Sequence, residues 1–168
     1  MIERSWRLRV RPILLALAFG AAAAVARAQT TVYVVRHAEK ASDANEKDVP
    51  LSEEGKNRAE RLAAILKDAG ITAIYSTDAT RTRSTAEPLA RAGGRTVRMY
   101  SDVAALADQI KGEREAVVLV VGHSNTVPQI IAALGVRAPV EVGDREYDNL
   151  FVVVSRPIGE PAFLHLRY

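Results

Sequence analysis

Short runs of hydrophobic residues alternate along the chain with longer segments in which apolar residues recur at helical spacing. The runs, which predict strands, are residues 31–35, 73–75, 96–100, 116–121, 150–154 and 163–166. The longer segments, which predict helices, are residues 52–69, 80–92, 102–110 and 125–134. Strands that alternate with helices are typical of parallel sheets. The pattern therefore predicts an α/β fold with a mainly parallel sheet, and the last two strands are candidates for a hairpin.

Turn and cap residues mark the ends of several predicted helices. Ser52 is placed to cap the first helix, Glu53 and Glu54 follow in its first turn, and Gly70 stands where a helix-ending glycine would. Pro88 lies inside the second helical segment. Since proline lacks a backbone N–H, we expect it to kink that helix or to mark its true first turn.

The first 28 residues differ from the rest of the chain. Four arginines precede an uncharged run at residues 13–25, and Ala26-Arg27-Ala28 has the small-x-small form of a signal-peptidase site. We therefore expect residues 1–28 to be a signal peptide and residues 29–168 to be one exported domain, periplasmic or secreted. The alternative is an uncleaved anchor, which is the one case in which contact with a membrane is expected.

The basic character of the whole chain resides in this leader. The net charge is +3, but residues 1–28 hold five of the 23 basic residues and one of the 20 acidic ones, so the rest is at −1. No basic stripe interleaved with aromatic residues is present, and we expect no nucleic-acid partner. The absence of cysteine excludes disulfides, Cys-ligated zinc and thiol catalysis.

Three polar segments stand directly at predicted strand ends. Arg36-His37-Ala38 follows the first strand, the segment from Ser76 to Arg81 follows the second, and Gly122-His123-Ser124 follows the central strand. In open α/β sheets, ligands bind outside the carboxyl ends of the strands. If the sheet is parallel, two guanidinium groups and two imidazoles meet at one edge.

This set of side chains is suited to phosphoryl transfer. Arginine matches phosphate oxygens with paired donors, and two arginines would offset the charge of one phosphoryl group. A neutral histidine can attack phosphorus and leave again near neutral pH, and a protonated one can donate to phosphate oxygens. The constellation predicts transfer through a covalent histidine intermediate.

The same residues resemble the motifs of the histidine phosphatase superfamily, the phosphoglycerate-mutase-like proteins. The matching positions are Arg36-His37-Ala38, then Ser76, Arg81, Thr85 and Ala86, then Gly122-His123-Ser124, together with Leu51-Ser52 and Gly55. The resemblance implies a three-layer α/β/α sandwich with His37 as the nucleophile. It implies that Arg36, Arg81 and His123 form the phosphate pocket, and that no metal or cofactor is needed.

A general acid for the leaving group is not fixed by any motif. Glu39, on the loop of the nucleophile, and Asp102, after the third strand, are weak candidates that are more typical of loop and cap residues. The alternative is that no acid is needed, since some small members of the family cleave phosphohistidine or other substrates with good leaving groups. Residues 38–50 and 136–147 are expected to frame the pocket.

The leading hypothesis is an exported phosphatase that hydrolyses a phosphomonoester or another small phosphorylated substrate through phosphohistidine at His37. Its partners would be that substrate and inorganic phosphate. Two alternatives remain: a phosphohistidine or phosphoprotein phosphatase, and a non-catalytic domain that binds phosphate on the same fold.

Overall fold

The computed structural model describes residues 29–43, 47–156 and 158–168. The predicted signal peptide at residues 1–28 lies outside these residues, so its prediction rests on sequence alone. Across the described ranges, no helix is both long and apolar enough to cross a membrane.

A six-stranded mixed sheet forms the centre of the described part of the chain. Its strands are Thr31–Arg36 (β1), Ala73–Ser76 (β2), Val97–Met99 (β3), Val117–Gly122 (β4), Asn149–Val154 (β5) and Ala162–Arg167 (β6). The strand order is β3-β2-β4-β1-β5-β6. The pairs from β3 to β1 are parallel, whereas β5 runs antiparallel to β1 and forms a hairpin with β6. The predicted fold class and the hairpin are confirmed.

Four helices in the described ranges cover the two faces of this sheet. They are Glu53–Leu66 (α1), Thr80–Ala92 (α2), Val103–Gly112 (α3) and Thr126–Ala133 (α4). Leucines and alanines of α1 and α2 pack with Val35, Ile74 and Val121 on one face. On the other face, Val34 and Val120 pack with apolar residues of α3 and α4, namely Leu106, Ile110, Val127, Ile130 and Ile131. The middle strands are apolar on both faces, as expected for strands that helices cover on both sides. This arrangement confirms the predicted three-layer sandwich.

The helix ends follow the cap signals in the sequence, with one exception. The Ser52 hydroxyl accepts a 3.1 Å hydrogen bond from the Gly55 amide at the start of α1, and Gly70 adopts φ +72° after that helix ends. Pro88 is buried inside α2, which begins eight residues earlier at Thr80. The prediction that Pro88 could mark the first turn is therefore wrong. Because proline lacks a backbone N–H, Pro88 leaves one hydrogen bond of the helix unmade.

The parallel register brings the three polar segments to one edge. Arg36 is opposite Gly122 across the β1–β4 pair, and Ser76 is opposite Val121 across the β2–β4 pair. The His37 amide then donates a 2.9 Å hydrogen bond to the Gly122 carbonyl. The predicted convergence at the carboxyl ends of the strands is confirmed.

Candidate active site

His37 lies immediately beyond β1 and is only 4% exposed. Its Nδ1 lies 2.8 Å from the carbonyl oxygen of Ala38. A carbonyl can only accept, so Nδ1 carries the proton in the neutral ring and the lone pair stands on Nε2. The backbone of the nucleophile loop thereby selects the ring nitrogen that can attack.

Burial lowers the pKa of His37 to about 3, an effect that the Ala38 hydrogen bond opposes and the charges of Arg36, His123 and Arg81 reinforce. A cation at this position would be both desolvated and next to other cations. His37 is therefore neutral near pH 7, which is the form that a nucleophilic imidazole needs.

His123 lies beyond β4 and presents its ring edge-on to His37, with the ring centroids 5.3 Å apart. Its Nε2 is 2.9 Å from the Thr77 hydroxyl, and its backbone amide donates a 2.8 Å hydrogen bond to the Thr126 hydroxyl. Burial, followed by the charges of Arg81 and Arg36, lowers the pKa of His123 to about 4. A bound dianionic phosphate would act in the opposite direction and favour the protonated ring.

Arg36, the last residue of β1, is 6% exposed and is held by neutral groups. Its Nη1 donates to the carbonyls of Gly143 and Asp144 at 2.8 and 2.9 Å, and its guanidinium carbon lies 4.2 Å from the centre of the Tyr147 ring. No carboxylate in the described ranges pairs with it, and its buried Nε has no hydrogen-bond partner there. Carbonyl dipoles and an aromatic face orient the guanidinium and leave its full charge for an anion.

Arg81 completes the group from the first turn of α2. The Thr85 hydroxyl donates to the Arg81 carbonyl at 2.7 Å and accepts a 3.0 Å hydrogen bond from the Ala38 amide. Thr85 thus ties the helix that carries Arg81 to the loop that carries His37. Thr85, one of the motif positions, therefore has a structural role in these contacts.

A second tie holds the nucleophile loop against α1. A Cβ atom at Gly55 would lie 2.2 Å from the carbonyl oxygen of Glu39, so only glycine lets the two backbones approach this closely. The Ser52 amide donates a 2.9 Å hydrogen bond to the same Glu39 carbonyl. The Leu51-Ser52 and Gly55 pattern is therefore a docking point for the loop of His37.

All four predicted pocket residues line one open cavity of about 650 Å³. The full lining in the described ranges is Arg36, His37, Lys40, Asp43, Arg81, His123, Ser124, Asn125, Asp144 and Tyr147. The predicted framing loops, residues 38–50 and 136–147, supply Lys40, Asp43, Asp144 and Tyr147. No group of three or more His, Asp or Glu side chains in the described part of the chain could hold a metal ion.

Neither of the two weak acid candidates reaches this cavity. Glu39 turns away to Arg58, whose Nε donates to its two carboxylate oxygens at 2.7 and 2.9 Å. Asp102 caps α3, accepting a 2.8 Å hydrogen bond from the Ala105 amide. The placement of these two carboxylates at the site is corrected by the structure.

The carboxylates that do line the cavity, Asp43 and Asp144, were not singled out by sequence reasoning. Both stand in segments without hydrophobic periodicity, so no pattern distinguishes them from other loop residues. Tyr147 stands two residues before β5, in a Tyr-Asp-Asn-Leu sequence that continues into that strand. Thr77 was not identified as a site residue either, because its contact with His123 depends on where β2 ends.

Solved structures with the same architecture cover most of the chain. The mycobacterial glucosyl-3-phosphoglycerate phosphatase Rv2419c matches with a TM-score of 0.63 at 17% identity, covering 83% of this chain and 98% of its own. The protein histidine phosphatase SixA, solved with tungstate, matches with a TM-score of 0.65 at 20% identity, covering 82% and 96%. At such identities the likeness establishes a shared fold.

The sequence model of the histidine phosphatase superfamily, branch 1, matches residues 32–104. That segment includes Arg36, His37 and Arg81. Over these residues the chain is similar to the histidine phosphatase superfamily. The sequence match ends before His123, the residue that the fold itself brings to within a ring contact of His37.

Curated superfamily relatives are similar over a shorter stretch. The Escherichia coli O1:K1 protein named "Probable phosphoglycerate mutase GpmB" is 43% identical over 68 residues, which are 38% of this chain and 32% of that protein. The match thus spans about a third of the relative's length.

Proposed function

We propose that this protein is a phosphatase that hydrolyses a phosphomonoester or another small phosphorylated substrate through phosphohistidine on His37. The observation that carries the proposal is the state of His37. It is buried and neutral, its proton is held on Nδ1 by the Ala38 carbonyl, and it lines a cavity with two arginines.

The chemistry takes two steps. The Nε2 lone pair attacks phosphorus, an N–P bond forms, and the P–O bond to the leaving group breaks with its electron pair left on the departing oxygen, which takes a proton from solvent water. Water then attacks the phosphohistidine, and the N–P electron pair returns to Nε2 as inorganic phosphate forms. Arg36 and Arg81, with His123 once protonated, offset the negative charge in both transition states.

The leaving group would face a polar wall made by Lys40, Asp43, Asp144 and Tyr147. Neither Glu39 nor Asp102 lies at that wall. No motif assigns either of the carboxylates at the wall, Asp43 or Asp144, as the acid. A second candidate function is therefore a phosphohistidine phosphatase, whose substrate has a leaving group that departs readily. The protein histidine phosphatase SixA shares the fold over 82% of this chain.

The decisive experiment measures turnover of p-nitrophenyl phosphate by wild type, His37→Ala and the matched control His165→Ala. His165 lies in the β5–β6 hairpin, bonded to Asn149, outside the cavity lining. Loss of more than about 10³-fold in kcat/KM for His37→Ala alone, with acid-labile and base-stable phosphate trapped on the wild type, supports the mechanism. Equal turnover by wild type and His37→Ala would refute it.

A substrate panel then separates the candidate functions. Sugar phosphates, nucleotides and phosphohistidine are compared at equal concentration. Preference for phosphomonoesters supports the main proposal, and preference for phosphohistidine supports the second. Saturable phosphate binding with no turnover on any substrate would favour the non-catalytic alternative.

Export is part of the proposal and rests on the sequence of residues 1–28. The basic start, the uncharged run and Ala26-Arg27-Ala28 support cleavage before Gln29 and a periplasmic or secreted location. N-terminal sequencing of protein recovered from cell fractions tests it. A start at Gln29 outside the cytoplasm is expected. An intact Met1 in the membrane fraction would favour the uncleaved anchor.

A further inference from the structure

Two threonine hydroxyls connect His123 to the backbone at the start of α2. The Thr77 hydroxyl lies 2.9 Å from His123 Nε2 and 2.9 Å from the Thr82 hydroxyl. The Thr82 hydroxyl in turn donates to the carbonyl oxygens of Ala79 and Thr77, at 2.8 and 3.0 Å. The contacts form a continuous line from a buried backbone carbonyl to the imidazole.

The donors and acceptors along this line can be assigned in only one way. A threonine hydroxyl has one proton to donate and can accept through its lone pairs. The proton of Thr82 is committed to backbone carbonyls, which can only accept. Thr82 must therefore accept from Thr77, the proton of Thr77 is used there, and the contact with His123 is made by an Nε2–H that donates to Thr77.

We propose that Thr77 and Thr82 form a hydroxyl relay that holds His123 in the tautomer protonated at Nε2. The relay is anchored well, because Thr82 is fully buried at 0% exposure and its acceptor Ala79 immediately precedes α2. Burial removes the water that would otherwise compete for these hydroxyls, so each hydrogen bond in the line is costly to break.

The two histidines then carry their protons on opposite ring nitrogens. His37 holds its proton on Nδ1 through the Ala38 carbonyl, whereas His123 holds its proton on Nε2 through Thr77. Any further protonation of His123 is directed to Nδ1, and its ring is kept edge-on to His37. Thr77 and Thr82 are positioning residues, and their importance for turnover rests on the proposed function.

The experiment reads the tautomer directly, by ¹⁵N chemical shifts of the imidazole nitrogens in wild type, Thr77→Val, Thr77→Ser and Thr82→Val. Wild-type His123 is expected to show a protonated Nε2 and an unprotonated Nδ1 at pH 7. Thr77→Val removes the acceptor and is expected to give a mixture of tautomers, and Thr77→Ser is expected to restore the wild-type spectrum. Thr72→Val, at the opposite end of β2, is the matched control and leaves the spectrum unchanged.

The Thr82 variant gives the sharpest outcome because Thr82 does not touch His123. Its loss frees the Thr77 proton to donate to Nε2, so Thr82→Val is expected to shift His123 toward protonation at Nδ1. In kinetics, Thr77→Val is expected to lower kcat by about tenfold with little change in KM, and Thr77→Ser to recover it. A wild-type His123 protonated at Nδ1, or a Thr82→Val spectrum identical to wild type, would overturn the relay. The spectra answer this even if wild type turns over no substrate, which would count against the proposed function instead.

Discussion

Two arginines close to the nucleophile loop have opposite surroundings. Arg36 is bound by backbone carbonyls and an aromatic ring and pairs with no carboxylate among the described residues. Arg58, on α1, makes paired hydrogen bonds to Glu39, and these raise its pKa. Both guanidinium groups are charged, but only the charge of Arg58 is offset by a neighbouring carboxylate.

This difference distinguishes Arg36, in the candidate binding site, from Arg58, which has a structural role. A buried cation without a counter-charge is costly unless a ligand supplies one, so the surroundings of Arg36 are suited to an anion. The Arg58–Glu39 pair is complete within the protein and fastens α1 to the loop that follows His37. Both arginines are charged, and Arg36 is distinguished by having no paired carboxylate among the described residues.

Arg36→Lys gives the largest expected effect. Lysine keeps the charge but loses the planar set of donors and the stacking on Tyr147. We expect kcat/KM for p-nitrophenyl phosphate to fall by at least about 100-fold. The matched change Arg58→Lys should alter turnover by less than about threefold, since a single salt bridge to Glu39 can persist. Equal losses of kcat/KM in the two variants would contradict the difference between the two arginines.

Glu39→Gln tests the other side of the comparison. Removing the charge leaves the half-buried Arg58 without its partner, and we expect the free energy of unfolding to fall by about 2 kcal/mol. Turnover should change little with good and with poor leaving groups. Urea denaturation and a series of leaving groups measure both quantities. A loss confined to poor leaving groups would instead make Glu39 the general acid.

Acid titration tests the buried, neutral state of His37. Burial lowers the pKa of His37 to about 3, whereas an unfolded chain has histidines near 6.5, so the unfolded state binds the extra proton between these values. Stability should therefore fall as pH drops from about 6.5 toward 3. His37→Asn should reduce the loss of stability between pH 7 and pH 5 by roughly 1–2 kcal/mol.

His165→Asn is the control for this titration. His165 lies on the edge strand β6, outside the cavity that Arg36 and Arg81 line, so its replacement removes a histidine without altering the candidate site. Chemical denaturation at several pH values supplies the measurement. A His37→Asn variant as acid-sensitive as wild type would count against the buried neutral state of His37.

Asp102→Ala gives the smallest expected effect. Loss of the cap on α3 should reduce the free energy of unfolding by about 1 kcal/mol and leave kcat/KM unchanged. Asp102→Asn keeps a capping oxygen and should restore most of that stability. Thermal unfolding and p-nitrophenyl phosphate turnover check both points, and impaired turnover in Asp102→Ala would return this residue to the candidate acids.

Sequence patterns predicted the fold and the four central side chains for the same reason. Strand periodicity placed Arg36, His37 and His123 at strand ends, and a parallel sheet gathers such ends at one edge. Arg81 followed from its spacing after Ser76. These are consequences of local order, which a single sequence displays.

The acid candidates could not be resolved in this way. The partner of Glu39 is Arg58, 19 residues further along, and the pairing exists because α1 docks against the loop at Gly55. Asp43 and Asp144 reach the cavity through irregular loops. Where a side chain points depends in each case on packing between distant segments, which hydrophobic periodicity does not encode.

The hydrogen bonds from Arg36 to the loop before β5 have a consequence for folding. The bond from Arg36 to Gly143 joins residues 107 positions apart. Contacts of such long range form only after the chain has closed a large loop, which makes them late events in folding. A partly assembled chain would therefore lack the anion receptor altogether, and phosphate should act on the finished protein by slowing its unfolding rather than by guiding its folding.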